Sequence, residues 1–115
     1  MKFPNTRWAF SHIRELVPTA NVSRGDGPVV PLPRAERDLG NVAITTMDGK
    51  AITLNDALQL TYTDGIVVLH KGKIVYEKYF GEGSAQMPHI AFSVTKSFVG
   101  TLAAMLVANG KLDPE

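Results

Sequence analysis

Two largely apolar stretches of the chain are separated by a short turn that contains glycine, a pattern typical of two paired strands. Residues 66–69 form an unbroken apolar run, and residues 73–80 mix apolar and polar side chains after a Lys71-Gly72 turn. Together they predict an antiparallel hairpin. The unbroken run predicts that strand 65–70 is covered on both faces, and the mixed strand is expected nearer an edge of its sheet.

A second hairpin is predicted earlier in the chain. Residues 42–47 and 50–54 are rich in β-branched side chains and flank Asp48-Gly49, a pair suited to a tight turn with positive φ. Residues 55–62 follow as a short helix, which either Asn55 or Thr53 can cap.

The longest apolar pattern lies near the end of the chain and predicts a helix over residues 93–109. Gly110 suits the left-handed position after a helix, and Pro114 blocks any continuation. Residues 98–108 are apolar or small on every side. A surface helix would keep a polar face, so this helix is expected to be buried. It is too short to span a membrane.

Residues 1–40 predict a mostly irregular arm, and residues 41–115 a folded part. Within the arm, residues 8–16 form a candidate amphipathic helix that is anchored by Trp8, Ile13 and Leu16. Prolines and glycines between residues 18 and 33 predict loop or extended backbone.

Composition narrows the class of protein. The 115 residues are 44% hydrophobic and 20% charged, as in a soluble globular domain, and the net charge of +1 comes without a basic run. Neither nucleic acid nor an anionic membrane is therefore an expected partner. The chain has no cysteine, and its start lacks a signal-peptide core, so a cytoplasmic location is expected.

Candidate chemistry concentrates at the start of the predicted helix 93–109. Ser93 and Lys96 are three residues apart, so their side chains share one face. A serine becomes a nucleophile when a base takes its proton, and a lysine can be that base when it is largely neutral. Burial and the positive end of a helix both disfavour the charged amine. The Ser93 N–H is a candidate oxyanion donor.

The same two residues have a structural interpretation. Serine is a favoured helix cap, and a Ser-x-x-Lys spacing occurs by chance in roughly one chain of this size in three. The three histidines, His12, His70 and His89, have no metal-ligand spacing, so no metal site is predicted. His70 and His89 are expected to make surface or polar contacts. His89 has a second interpretation at the rim of a site, because it precedes Ser93 by four residues.

The combined pattern resembles a known superfamily. Hairpin 65–80, a short link and Phe92-Ser93-Val94-Thr95-Lys96-Ser97 are similar to the serine β-lactamases and penicillin-binding proteins, and residues 68–75 and 109–114 to their class C-like serine hydrolases. Residues 7–12, with Val17-Pro18 and residues 22–24, further resemble the 6-aminohexanoate-dimer (nylon oligomer) hydrolase branch.

This resemblance implies an α+β fold of the β-lactamase/transpeptidase type, in which helices flank an antiparallel sheet. It also implies that Ser93 forms an acyl-enzyme with a small amide or ester, that Lys96 acts as base with a later tyrosine, and that no cofactor takes part. A β-lactamase, a D-alanyl peptidase and a non-catalytic binding relative remain alternatives.

The chain departs from this family in length. The later tyrosine and the late strand that supplies the second oxyanion donor have no counterpart here, and Tyr62, Tyr76 and Tyr79 precede the serine. We therefore expect the N-terminal portion of a larger domain, inactive alone, whose other partner is the remainder of that domain.

Overall fold

A computed structural model describes residues 5–115, so the first four residues of the predicted arm lie outside the described part. Four helices and four strands occur within residues 5–115. In chain order they are α1 (Asn5–Ser11), α2 (Ile13–Leu16), β1 (Ala43–Thr45), β2 (Ala51–Thr53), α3 (Leu54–Leu60), β3 (Gly65–His70), β4 (Lys73–Tyr79) and α4 (Val94–Ala108).

The hairpin β3–β4 confirms the prediction from the apolar run. The strands are antiparallel, with Gly65 opposite Tyr79 and His70 opposite Lys73. Lys71 and Gly72 both have positive φ, 49° and 73°, which matches the right-handed twist of the strands that they join.

The relative burial of the two strands is the reverse of the prediction. Val67 and Leu69 of β3 are about half exposed, whereas Val75 and Tyr76 of β4 retain 6% and 4% of their accessible surface. The cause is the arm, which runs along the other side of β4. The Ile74 N–H donates to the Pro33 carbonyl, and the Ala35 N–H donates to the Ile74 carbonyl, both at 2.9 Å. β4 therefore has a neighbour on each side, and β3 is the edge strand among the described residues.

The hairpin β1–β2 and the helix α3 are also confirmed, with strands shorter than predicted. Gly49 turns the hairpin at a φ of 82°. Thr53 rather than Asn55 caps α3: its hydroxyl accepts from the Asp56 N–H, and the Asp56 carboxylate accepts from the Thr53 N–H. Asn55 instead accepts a 3.1 Å hydrogen bond from the Tyr76 hydroxyl, which ties α3 to β4.

The predicted helix of the arm is divided into α1 and α2 by a break at His12. The predicted anchoring by Trp8 and Leu16 is wrong, because these side chains are 44% and 45% exposed, whereas Ala9 is buried. A break in the helix changes its direction, so residues on either side of it no longer share one apolar stripe. Beyond α2 the arm is irregular up to its pairing with β4, and its division from the rest at residue 40 stays a prediction.

The helix α4 forms as predicted, but it is not buried among the described residues. Phe98 is 68% exposed and Leu102 is 60% exposed, and no other helix or strand of residues 5–115 lies against α4. Its end follows the prediction: Gly110 has a φ of 64° and donates to the Val107 carbonyl, and Lys111 donates to the Leu106 carbonyl. This pair of bonds is the Schellman arrangement.

The described chain is more extended than an independent domain of its length. Its radius of gyration is 18.4 Å, compared with about 13 Å for a compact chain of this size. The buried apolar side chains among the described residues are Ala9, Leu58, Val75 and Tyr76. They lie in α1, α3 and β4, so the core among the described residues is formed by elements that precede α4.

Candidate active site

The first turn of α4 brings the two predicted catalytic residues together. The Lys96 Nζ lies 2.9 Å from the Ser93 Oγ and donates a hydrogen bond to it. Ser93 stands at the cap position with helical dihedrals, φ −69° and ψ −11°, and its side chain makes no capping bond. The structural interpretation of Ser93 as a helix cap is therefore not supported, since its hydroxyl faces the amine instead.

The residue before Ser93 adopts a rare backbone conformation. Phe92 has a φ of 44°, in the left-handed region that bulky side chains seldom enter. Such a conformation costs on the order of 1–3 kcal/mol and persists only where surrounding contacts hold it. Phe92 is thus the point at which the chain turns sharply into α4.

The backbone at this turn leaves one donor exposed near the hydroxyl. The N–H groups of Val94, Thr95 and Lys96 bond to the carbonyls of Ala91, Phe92 and Ser93. Among the described residues, none accepts a hydrogen bond from the Ser93 N–H. The N–H is therefore available to a ligand, and its role as an oxyanion donor stays a prediction.

The expected dry surroundings of the pair are not provided by residues 5–115. Ser93 and Lys96 are both exposed, because no other helix or strand of the described chain covers α4. An exposed ammonium is well hydrated, so desolvation of the amine requires protein outside these residues.

A polar chain of three side chains leads from α1 to the segment before Ser93. The Arg7 Nε donates to the Asp64 Oδ1 at 2.6 Å, and the Asp64 Oδ2 lies 3.1 Å from the His89 Nε2. The His89 Nδ1 lies 3.0 Å from the Ile90 carbonyl oxygen. Both partners of the ring are acceptors, and the tautomer decides which ring nitrogen donates.

Aromatic packing joins the same segment to α1. The Phe10 ring meets the Phe92 ring edge to face with centroids 5.0 Å apart, and it meets His89 at 5.9 Å. The Ile90 N–H also donates to the Phe10 carbonyl at 2.8 Å. α1 therefore contacts the segment 89–92 through ring faces and through the backbone.

A cavity of about 640 Å³ lies beside this network. Its lining includes Arg7, Trp8, Asp64, Tyr79 and His89, and neither Ser93 nor Lys96 contributes to it. The cavity and the serine–lysine pair are thus separate features of the described chain, and His89 makes the polar contact that was predicted for it.

Two of the early tyrosines have partners away from the serine. The Tyr76 hydroxyl binds Asn55, and the Tyr79 hydroxyl donates to the Glu77 carboxylate at 2.5 Å. The hydrogen bond that the Tyr79 hydroxyl donates to Glu77 raises the pKa of Tyr79, which makes this phenol a poorer source of phenolate. That the second base lies outside this chain stays a prediction.

Two other properties concern the described residues only. No group of three or more His, Asp or Glu side chains in residues 5–115 is placed to hold a metal ion. Within the same range, the structure contains no helix with the length and apolar character needed to cross a membrane.

The contact between Arg7 and Asp64 was not predictable from the sequence alone. The two residues are 57 positions apart. A single sequence, considered without an alignment, does not indicate that two such distant charged residues pair. Asp64 follows a helix and precedes β3, a position where a solvated turn residue is the ordinary expectation.

The chain is similar to one protein family, to a hydrolase of known sequence and to a solved structure. The beta-lactamase family model matches residues 44–115. The 6-aminohexanoate-dimer hydrolase of Paenarthrobacter ureafaciens is 36% identical in an alignment 114 residues long, which covers 96% of this chain and 26% of that protein. The solved structure of a putative 6-aminohexanoate-dimer hydrolase from Bacillus anthracis superposes with a TM-score of 0.89 at 29% identity, over 97% of this chain and 29% of that one. The chain thus spans about a quarter of the length of these relatives.

Proposed function

Since this chain belongs to the beta-lactamase family, with the predicted α+β fold, we propose that it carries the nucleophile and the base of a serine hydrolase. Ser93 is the nucleophile and Lys96 is the base. The observation that carries the proposal is the 2.9 Å contact between the Lys96 Nζ and the Ser93 Oγ, in a turn where the serine caps nothing.

The chemistry follows from this contact. A neutral Lys96 amine takes the hydroxyl proton as the Ser93 Oγ attacks a carbonyl carbon. The developing oxyanion accepts a hydrogen bond from the Ser93 N–H, and the leaving amine or alcohol receives a proton as its bond to the carbonyl carbon breaks. Water then hydrolyses the ester on Ser93, which frees the acid and restores the hydroxyl. The remainder of the domain supplies the second oxyanion donor, the second base and the desolvation of Lys96.

The substrate class that we propose is a small linear amide or ester. Both relatives carry the name of a hydrolase of the 6-aminohexanoate dimer, whose two units are joined by an amide. The specificity of the whole protein rests on parts of the domain outside this chain. The test therefore compares a linear amide with two alternative substrates, a β-lactam and a D-alanyl peptide.

The test is active-site labelling in the full-length protein. A fluorophosphonate probe should label Ser93, and Ser93→Ala should abolish the label and lower amide hydrolysis at least a thousandfold, a loss typical of a removed nucleophile. Ser97→Ala is the matched control, because it removes a hydroxyl from the same helix one turn further on; it should label normally.

The general base has its own pair of variants. Lys96→Met should slow acylation by at least a hundredfold, whereas Lys78→Met, which removes an amine from β4, should not. Labelling that survives Ser93→Ala would overturn the proposal. A higher kcat/KM for a β-lactam or a D-alanyl peptide than for a linear amide would overturn its substrate part.

A further inference from the structure

We infer that Arg7, Asp64 and His89 form a positioning clamp that holds the segment 89–92 and thereby orients Ser93 for acylation. This inference rests on the proposed function of Ser93. None of the three side chains touches the Ser93–Lys96 pair, so each is a positioning residue rather than a catalytic one.

The centre of the clamp is the Asp64 carboxylate, which has one partner on each oxygen. Arg7 of α1 binds Oδ1 at 2.6 Å and His89 binds Oδ2 at 3.1 Å. Arg7 and Asp64 retain only 30% and 17% of their side-chain surface. A short contact between charged groups shielded from water is stronger and more directional than a solvated pair.

Asp64 is itself fixed to the hairpin β3–β4. Its carbonyl accepts from the Phe80 N–H at 3.0 Å, and the backbone at Gly83 approaches so closely that a Cβ there would lie 2.1 Å from the Asp64 carbonyl oxygen. Glycine is the residue that permits this approach. The clamp therefore connects the segment 89–92 to a paired strand as well as to α1.

The segment that the clamp holds is short and ends at the unusual backbone of Phe92. His89 is four residues before Ser93, and its Nδ1 contacts the Ile90 carbonyl. The Phe10 ring packs against both His89 and Phe92. If Asp64 releases His89, Phe92 can leave the left-handed region, and the first turn of α4 then rotates the Ser93 Oγ relative to the substrate carbonyl.

The test compares two neutralised carboxylates in the full-length protein. Asp64→Asn weakens the clamp with little change in shape. Glu77→Gln is the matched control, because it weakens the Arg34–Glu77 ion pair on β4, away from the segment 89–92. The burst rate of acylation by a nitrophenyl ester should fall ten- to a hundredfold in Asp64→Asn, with KM changed less than twofold. Glu77→Gln should acylate within twofold of the wild type.

Conservative variants separate positioning from general stability. Arg7→Lys keeps the charge but loses the Nε donor, so it should acylate more slowly than the wild type and faster than Arg7→Ala. His89→Gln, which keeps a donor for Asp64, should likewise retain more activity than His89→Ala. If Asp64→Asn does not fold, the ordering of these four variants decides the question.

A readout without catalysis keeps this inference distinct from the proposed function. Amide hydrogen exchange of Ile90, whose N–H donates to the Phe10 carbonyl, should quicken at least tenfold in Asp64→Asn and not in Glu77→Gln. If the wild type fails to label at Ser93, the proposed function fails, and the exchange rates still report on the clamp. Wild-type exchange together with wild-type acylation in Asp64→Asn would overturn the clamp while leaving Ser93 as the nucleophile.

Discussion

The hairpin β3–β4 and the helix α4 are both apolar, yet only the hairpin is packed. In the hairpin, Val75 and Tyr76 are buried because the arm pairs along β4 and Asn55 binds the Tyr76 hydroxyl. In α4, Phe98 and Leu102 face outward, and no helix or strand of residues 5–115 covers them. An apolar pattern therefore shows that an element needs a partner, whereas the rest of the chain decides whether that partner is present.

The largest effect is expected in α4, where we compare one substitution in the full-length protein and in the 115-residue chain. Leu102→Ala should cost about 2–5 kcal/mol of unfolding free energy in the full-length protein, where we expect the rest of the domain to cover this helix. In the 115-residue chain the same change should stay within about 0.5 kcal/mol, because Leu102 is 60% exposed there. Urea denaturation monitored by circular dichroism measures both.

Met47→Ala is the control for this comparison, since Met47 is fully exposed in the β1–β2 turn. It should change the unfolding free energy little in either length. An equally small cost of Leu102→Ala in the full-length protein would show that α4 remains uncovered there, and the expectation of a buried catalytic helix would then be wrong.

Local elements were predictable from the sequence to the extent that their causes are local. The Lys71-Gly72 turn, the Gly110 stop of α4 and the approach of Lys96 to Ser93 depend on residues a few positions apart. The pairing of Arg34 with Ile74 and that of Arg7 with Asp64 join segments 40 or more positions apart. Periodicity contains no information on such pairs, which is why the edge strand and the clamp were missed.

A smaller effect is expected in the hairpin β3–β4, which is packed against the arm. Val75→Ala removes two buried methyl groups from β4 and should cost about 1.5–3 kcal/mol of unfolding free energy. Because its neighbours belong to the arm and to β3, the cost should be similar in the 115-residue chain and in the full-length protein. Val67→Ala on the half-exposed edge strand β3 is the control and should cost less in the 115-residue chain. A cost of Val75→Ala that appears only in the full-length protein would contradict packing by the arm.

The smallest effect is expected at the cap of α3, which belongs neither to the hairpin β3–β4 nor to α4. Thr53→Ala should cost about 0.5–2 kcal/mol of unfolding free energy, because it removes the hydroxyl that accepts from the Asp56 N–H.

The Thr53 hydroxyl and then the Thr53 N–H hold the pKa of Asp56 below its usual range. A depressed folded pKa stabilises the protein above the unfolded pKa, and this stabilisation disappears as the pH falls through the folded pKa. Unfolding measured at pH 7 and in steps below about pH 4 should therefore show the wild type approaching Thr53→Ala in acid, and Asp56→Asn should remove this pH dependence. A gap between the wild type and Thr53→Ala that is constant with pH would mean that the bond between the Thr53 hydroxyl and the Asp56 carboxylate adds nothing to the stability of the cap.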